Sequence, residues 1–562
     1  MGSLVGFLSI AASLALPFHA QAKTSTRGGN SAASADGEEG SADAKPARHG
    51  RAGKKISITP YIEAAQVATA QLSPVHDTVT YTTLAVGADL SAQGRNTQAA
   101  ASLRYERRIG YGKSASADVI SGVARVSAAV VPHVLTIEGG ALATRTRIDG
   151  NGSSTIGTPL GNGNSAQLYS LYAGPTLTTH AGDVAVTGRY MLGYTQVGTD
   201  NGIVTTPGGP AVDVFDHSLA HDAQIHAGVR AGEVLPVGLG VGGGFYQEDI
   251  SNLDQRVRDI NLRADVTLPV SSDIALVGGV GYEDVTVSSR DALRDGAGNP
   301  VIGSNGRYVT DTSAPRRLAY DTSGLTWDAG VMWRPSRRTA LEAHVGRRYG
   351  TISYYGSFAY SPNSRSSLNV AVYDNVSGFG GQLNRALAGM PTQFEAARNP
   401  LTGDLGTCLV SLEKGNCLGG ALGSVRSATF RGRGVMASYG VDLGRLQAGI
   451  GAGYDRRKFI AAPGTVLASA NGLTDENWWV AANLSARLDA RSSFAANVWA
   501  KWFDTSIGVG GSGSAFGASG AYNRNLSDNL TATAALGIEG INQQALADVW
   551  SASALLGVRY SF

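Results

Sequence analysis

Apolar residues recur at every second position along most of this chain, and a period of two admits strands and little else. The C-terminal segment shows it most clearly. Trp550, Ala552, Ala554, Leu556, Val558, Tyr560 and Phe562 alternate with Ser551, Ser553, Gly557, Arg559 and Ser561. Upstream, Leu530, Ala532, Ala534, Leu536 and Ile538 alternate with Thr531, Thr533, Gly537 and Glu539. Trp478, Val480, Ala482 and Leu484 repeat the pattern, as do Leu325, Trp327, Val331 and Trp333 against Thr326, Asp328 and Gly330, and Leu103 and Tyr105 against Arg104, Glu106 and Arg108.

Composition narrows the class. Apolar content is 43% and net charge is +2, which excludes a disordered chain. Beyond the N-terminus no run of about 18 apolar residues occurs, which excludes a helical membrane protein. Glycine is 75 of 562 residues, and charged residues are 16% against roughly 25% in ordinary globular chains. A large all-β chain remains.

Alternation alone fits a soluble sandwich or a membrane barrel. Connection lengths separate the two. Short connections fall near Gln93–Arg95, Pro132, Gly182, Glu233–Pro236, Pro269–Ser272, Pro335, Pro362, Leu443–Arg445, Asp489 and Asp528. Between them lie longer ones near 149–164, 198–213, 288–320, 376–426 and 455–474. Short turns at one end and longer loops at the other are the pattern of an outer-membrane barrel. The reading is a transmembrane antiparallel up-and-down β-barrel over 54–562, with about 22 strands (20–24) and an even count. An even count puts both termini on the periplasmic side. Trp333, Tyr354, Tyr360, Trp478, Trp502, Trp550 and Tyr560 fall near strand ends, where interfacial girdles belong.

Residues 1–22 carry an apolar stretch, Leu4–Leu16, and end Ala20-Gln21-Ala22, as a cleaved signal peptide does. The n-region lacks Lys and Arg. Residues 23–53 are rich in Gly, Ser, Ala and charge and read as a disordered tail. Arg48, Arg51, Lys54 and Lys55 cluster where the tail meets the barrel, but no stacking aromatics interleave, so nucleic acid is not an expected partner. Cys408 and Cys417 sit in CLVSLEKGNC; in an exported protein they are expected to form a disulfide that pins the long loop 376–426. That loop also carries a helix-like patch, GQLNRALAGM (381–390), and is expected to fold over or into the barrel as a constriction.

The terminal GVRYSF, with Leu556, Val558, Tyr560 and Phe562 at alternate positions, resembles the outer-membrane β-signal, which implies recognition by the barrel-assembly machinery. The stretch 324–383 resembles the exopolysaccharide-associated outer-membrane barrels found with exosortase/PEP-CTERM systems. The matching features are the Trp333–Thr339 turn (WRPSRRT), the Gly346–Gly350 turn (GRRYG) and the strand ending at Asp374 (SLNVAVYD). That resemblance implies a porin-like role in the outer membrane near polysaccharide secretion and identifies no substrate; polysaccharide and small polar solutes are the expected partners of such a channel.

No catalytic set emerges. His344 shares a strand face with Glu342, but no nucleophile elbow adjoins it. DHSLAHDAQIH (216–226) puts His217 and His221 on one face and His226 on the other, a poor metal set. The glycine-rich VGLGVGGGF (237–245) lacks the Lys-Ser/Thr of a phosphate loop. The expectation is a non-enzyme without cofactor or metal, in contact with outer-membrane lipid. Strand parity places Arg104, Glu106, Arg108, Asp259, Arg263, Asp265, Asp328, Glu342, Arg487, Lys501, Glu539 and Arg559 on the lumen side, where both signs are present and can pair. A closed structural or adhesive barrel that binds partners through its loops is the alternative to a channel. An active TonB-coupled transporter shares the strand count but is expected to need a plug of about 130 residues ahead of the barrel.

Overall fold

Along the strand that carries Arg104, the alternation becomes a wall. Leu103 and Tyr105 are exposed on one face, while Arg104, Glu106 and Arg108 are buried on the other. The computed structural model describes residues 55–562 apart from 113–115, 149–153, 156–164, 199–202, 205–210, 213–214, 305, 395–397, 406–407, 410–415, 419–420, 423–424, 507–510 and 545. The signal peptide and tail inferred for 1–53 lie outside the described residues.

Long strands follow one another in chain order: β1 Lys55–Ser73, β2 Asp77–Gln93, β3 Thr97–Gly110, β4 Ala117–Val131, β5 Leu135–Ile148, β6 Ser165–Ala181, β7 Val184–Gly198 and β8 His217–Val229. Next come β9 Gly238–Ile250, β10 Gln255–Pro269, β11 Ile274–Ser289, β12 Arg317–Ser336, β13 Thr339–Arg348, β14 Thr351–Asn363 and β15 Ser366–Ser377. After a helix, α1 Phe379–Ala388, the sheet resumes with β16 Thr429–Asp442, β17 Leu446–Ile460, β18 Thr474–Arg487, β19 Ser492–Thr505, β20 Gly513–Asn525, β21 Leu530–Gln543 and β22 Leu546–Ser561. Each strand pairs antiparallel with its neighbours in sequence, and β1 pairs with β22 from Tyr61↔Ser561 to Ser73↔Trp550. The result is a closed ring of 22 strands, an all-β up-and-down barrel. Closure leaves no sheet edge. The amide of Phe562 donates to the carbonyl of Pro60 at 3.0 Å, so the terminal residue itself joins the seam.

The outer face is apolar and unpartnered. Leu325 is 81% exposed, Leu556 70%, Leu536 68% and Val280 66%. No aqueous surface carries such a band around a whole sheet; a lipid-facing barrel does. Trp478, Trp502, Tyr354 and Tyr560 are exposed on the same outer face, as expected of girdle residues.

All ten short connections read from the sequence fall at one end, within a residue or two of their expected places. The opposite end differs from a simple alternation of short and long. Its connections at 149–164, 199–216, 290–316, 378–428 and 461–473 are long, while those after β1, β3, β9, β13, β19 and β21 are short. The hairpin after β13 is the tightest: Tyr349 (φ 53°) and Gly350 (φ 70°) make the turn, a left-handed pair that suits a two-residue hairpin. The weakly patterned stretch 237–245 lies in β9, where glycines thin the inner face rather than break the strand.

Candidate functional site

The connection 378–428 does not stay outside. It enters the lumen and is bonded to the wall on several sides. Helix α1 is buried along its whole length and packs against β5, β6, β7 and β8. Its N-terminal amides have no intrahelical acceptors, and an anion there is favourable. Glu248 on β9 supplies it: Oε2 accepts from the amide of Gly378 at 2.6 Å and Oε1 from that of Gly381 at 2.8 Å. Arg385 donates to Asp222 on β8 at 2.9 Å, and Ser170 on β6 donates to Asn384 at 2.8 Å. The apolar side of the helix, Phe379, Leu383 and Leu387, joins wall residues Val123, Leu142, Leu168 and Met191 in the largest buried cluster.

From the helix the chain runs toward the short-turn end. There Gln393 donates to the carbonyls of Ala92 and Ala99 at 3.2 and 3.4 Å, both near the 94–96 turn. It then climbs along β3, β4 and β5. Arg398 donates to Ser121 Oγ at 2.7 Å and Ser102 Oγ at 3.0 Å, Arg108 donates to the carbonyl of Thr402 at 3.0 Å, and Arg145 pairs with Asp404 at 3.3 Å. Leu401 packs among Val67, Tyr81 and Leu555 on the seam strands. Further on, Cys408 stands directly opposite Cys417 in a short antiparallel ladder. That register sets Cα atoms about 4.5–5.5 Å apart, within the reach of a disulfide. The sulfur positions lie outside what the structure describes.

The charged residues expected in the lumen fall into separate clusters. Arg104 pairs with Glu63 at 2.7 Å and with Glu106 at 2.9 Å, and Arg108 pairs with Glu106 at 2.6 Å. Asp259 pairs with Arg348 at 2.9 Å, which also reaches Glu283 at 3.1 Å. The longest series crosses β8 to β13. His226 contacts Asp265 at 3.1 Å, Arg263 bridges Asp265 at 2.9 Å and Asp328 at 2.8 Å, and His344 bridges Asp328 at 3.0 Å and Glu342 at 3.1 Å. The His344 ring stacks on Tyr355, with centroids 4.5 Å apart. Lys501 is buried above the Phe503 ring, Glu539 accepts from Asn399 of the inserted segment at 3.4 Å, and Arg559 pairs with Asp89 at 3.0 Å over the Tyr61 ring. Arg487 stands apart, exposed at the short-turn end. Glycines make room for this belt. A Cβ at Gly279 would overlap the Arg263 guanidinium and the Asp328 carboxylate, and one at Gly330 would overlap the His344 ring.

Sequence parity passed over Asp222, Glu248, Glu283, Arg125 and Arg348, though all obey it. Arg398 and Asp404 lie in an aperiodic segment and gave no signal. The histidines do not converge. His217 contacts Asp216 at 3.2 Å, His221 contacts Tyr190 at 2.8 Å, and His226 faces the lumen beside Asp265. No group of three or more metal-ligating side chains occurs among the described residues.

No protein-family model matches the chain, and no curated protein matches it. Among solved structures it is similar to the FrpB iron transporter from Neisseria meningitidis in its apoprotein form, at 12% identity over 89% of this chain and 81% of that one, with a TM-score of 0.40. It is similar to the ferric-catecholate import receptor Fiu from E. coli K12 at 11% identity, covering 89% and 81%, with a TM-score of 0.40. For the siderophore receptor PirA from Acinetobacter baumannii the values are 10%, 91%, 81% and 0.38. The class rests on the chain's own geometry: a closed ring of 22 antiparallel strands with an apolar outer band and a charged interior is a transmembrane β-barrel of the outer-membrane type.

Proposed function

We propose that this barrel is a porin-like outer-membrane channel held constricted by its own segment 378–428, passing polar solutes or polymer at sites of exopolysaccharide export. The observation that carries the reading is the path of that segment. It is anchored to Asp222 on β8 and Glu248 on β9, and across the ring Asn497 on β19 donates to the carbonyl of Arg398 and Asn399 donates to Glu539 on β21, so it crosses the lumen rather than lining it. The paired charges on the wall give both signs to the passage, and strong ion selectivity is not expected.

The link to exopolysaccharide rests on the stretch 324–383, whose three matching features fall at the β12–β13 turn, the Tyr349–Gly350 hairpin and β15. In this reading the long loops face outward, both barrel termini face the periplasm, and the β22 residues Leu556, Val558, Tyr560 and Phe562 serve as the assembly signal. The test is single-channel conductance in planar bilayers. The full chain is expected to conduct weakly, and a variant lacking 380–424 several-fold more strongly. Equal conductance would remove the constriction. No conductance in either would favour a closed structural barrel. Loss of surface polysaccharide on deletion of the gene tests the export link separately.

A further inference from the structure

On the inner wall, in the region that helix α1 packs against, two buried side chains lie together with polar atoms left unbonded. Arg125 on β4 is 5% exposed, and its Nε and Nη1 have no hydrogen-bond partner among the described residues. Tyr172 on β6 is also 5% exposed, and its hydroxyl has none. The Arg125 guanidinium lies over the Tyr172 ring, 5.2 Å from its centroid. Between the two strands stands Gly140, where a Cβ would collide with the Tyr172 ring and crowd the Arg125 side chain. The glycine therefore clears the space in which the cation rests on the phenol. Most other wall arginines have a carboxylate in contact; Arg125 has no ion pair among the described residues. The inserted segment runs past this place, because Gln393 reaches Ala99, whose neighbour Ala100 is paired in register with Arg125.

We propose that Arg125 and Tyr172 form a binding site for a single oxyanion, a carboxylate or a phosphate carried on a solute in the lumen, and that segment 378–428 is seated over it. The inference deepens the channel reading and rests on it for its setting. A guanidinium offers two parallel N–H donors to the oxygens of a planar carboxylate or of a phosphate, and the geometry favours such ligands over halides. The phenol supplies a third donor beside them. A buried guanidinium with no carboxylate in contact is costly, and an arriving anion that bonds it directly removes that cost. The same anion competes with the inserted segment for the space, so occupancy of the site and displacement of the segment are coupled.

The test is calorimetric titration of the detergent-solubilised full chain with sodium glucuronate, with inorganic phosphate and with neutral glucose. Binding is expected for one or both anions and absent for glucose. Which anion binds decides between a sugar carboxylate and a phosphate. Arg125→Gln is expected to weaken binding at least tenfold and Tyr172→Phe about threefold, both with the heat-modifiable gel shift of a folded barrel. Removal of 380–424 is expected to tighten it. No binding of either anion, or equal binding by Arg125→Gln, overturns the site. Calorimetry reads the site and bilayer current reads the channel, so one can fail without the other.

Discussion

Arg385 of the inserted helix donates to Asp222 of the wall at 2.9 Å, and its Cζ lies 3.7 Å from the centroid of the Tyr246 ring. Both charges are buried, at 4% and 9% exposure. Breaking such a pair leaves one charge uncompensated and costs about 3–5 kcal/mol. Arg385→Met should therefore loosen the helix without touching the barrel. The expected result is a higher single-channel conductance and faster proteolysis within 378–428, with unchanged heat-modifiable migration. Wild-type conductance in this variant would show that the pair does not hold the segment in place.

The belt from His226 to Glu342 depends on absent side chains. At Gly330 a Cβ would overlap the His344 ring, whereas at Gly278, on the outer face, it would meet nothing. Gly330→Val should destabilise the barrel by about 1–3 kcal/mol, the usual cost of overpacking. Gly278→Ala should be neutral or slightly stabilising, since alanine restrains the unfolded chain. The temperature of the heat-modifiable shift measures both. Equal shifts for the two variants would separate the belt from the glycines beneath it.

The sequence made some of this visible and hid the rest for a physical reason. Arg104, Glu106 and Arg108 announced the inner face because exposed Leu103 and Tyr105 alternate with them. The same parity covers Asp222 and Glu248, yet neither stood out as a docking point, because that role depends on what the lumen holds. Helix α1 was legible in GQLNRALAGM (381–390) and lies two residues earlier at both ends, Phe379–Ala388. The places of Arg398 and Asp404 were not legible. They depend on the route of an aperiodic segment through the barrel, and no local periodicity encodes a route. The glycine excess first points to a generic β chain; Gly279 and Gly330 show that part of it is clearance for charged side chains.

The Cys408↔Cys417 register makes a disulfide geometrically available in the return limb of the segment. Closing a loop this short is worth about 2–3 kcal/mol in the chain-entropy account. Alkylation of the secreted protein should label neither thiol until a reductant is added, and Cys408→Ser with Cys417→Ser should accelerate proteolysis of 378–428. Full labelling before reduction would contradict the bond.

Loops 290–316 and 461–473 are tied together at Asp291. Its carboxylate accepts from the amide of Val466 at 2.9 Å and from Arg294 at 3.0 Å. Burial works against ionisation there, but the Val466 amide and the Arg294 guanidinium outweigh it and hold the carboxyl below the usual carboxylate range. A carboxyl lowered on folding stabilises the ionised tie above its ordinary value of about 4 and gives that stability up as pH falls through the lower folded value. The protection factor of the Val466 amide, the intrinsic exchange rate divided by the observed rate at the same pH, should therefore be high at neutral pH and fall under acid, below pH of about 4. Asp291→Asn should show a low protection factor at neutral pH already. A protection factor at Val466 that does not change with acid would show that Asp291 does not gate this contact.

In the proposed orientation the end that carries the long loops faces the medium. Ala297 lies in the 290–316 loop, and Ser527 lies in the turn between β20 and β21 at the other end. Both are exposed, so a cysteine at either can react without disturbing a packed contact. In a Cys408→Ser, Cys417→Ser background, Ala297→Cys should react with a membrane-impermeant maleimide on intact cells. Ser527→Cys should react only after the outer membrane is permeabilised. Long loops are tolerated where they meet the medium, and short turns suit the side from which the barrel is inserted. The reverse labelling pattern would invert the barrel in the membrane and place the entrance beside helix α1 on the periplasmic side.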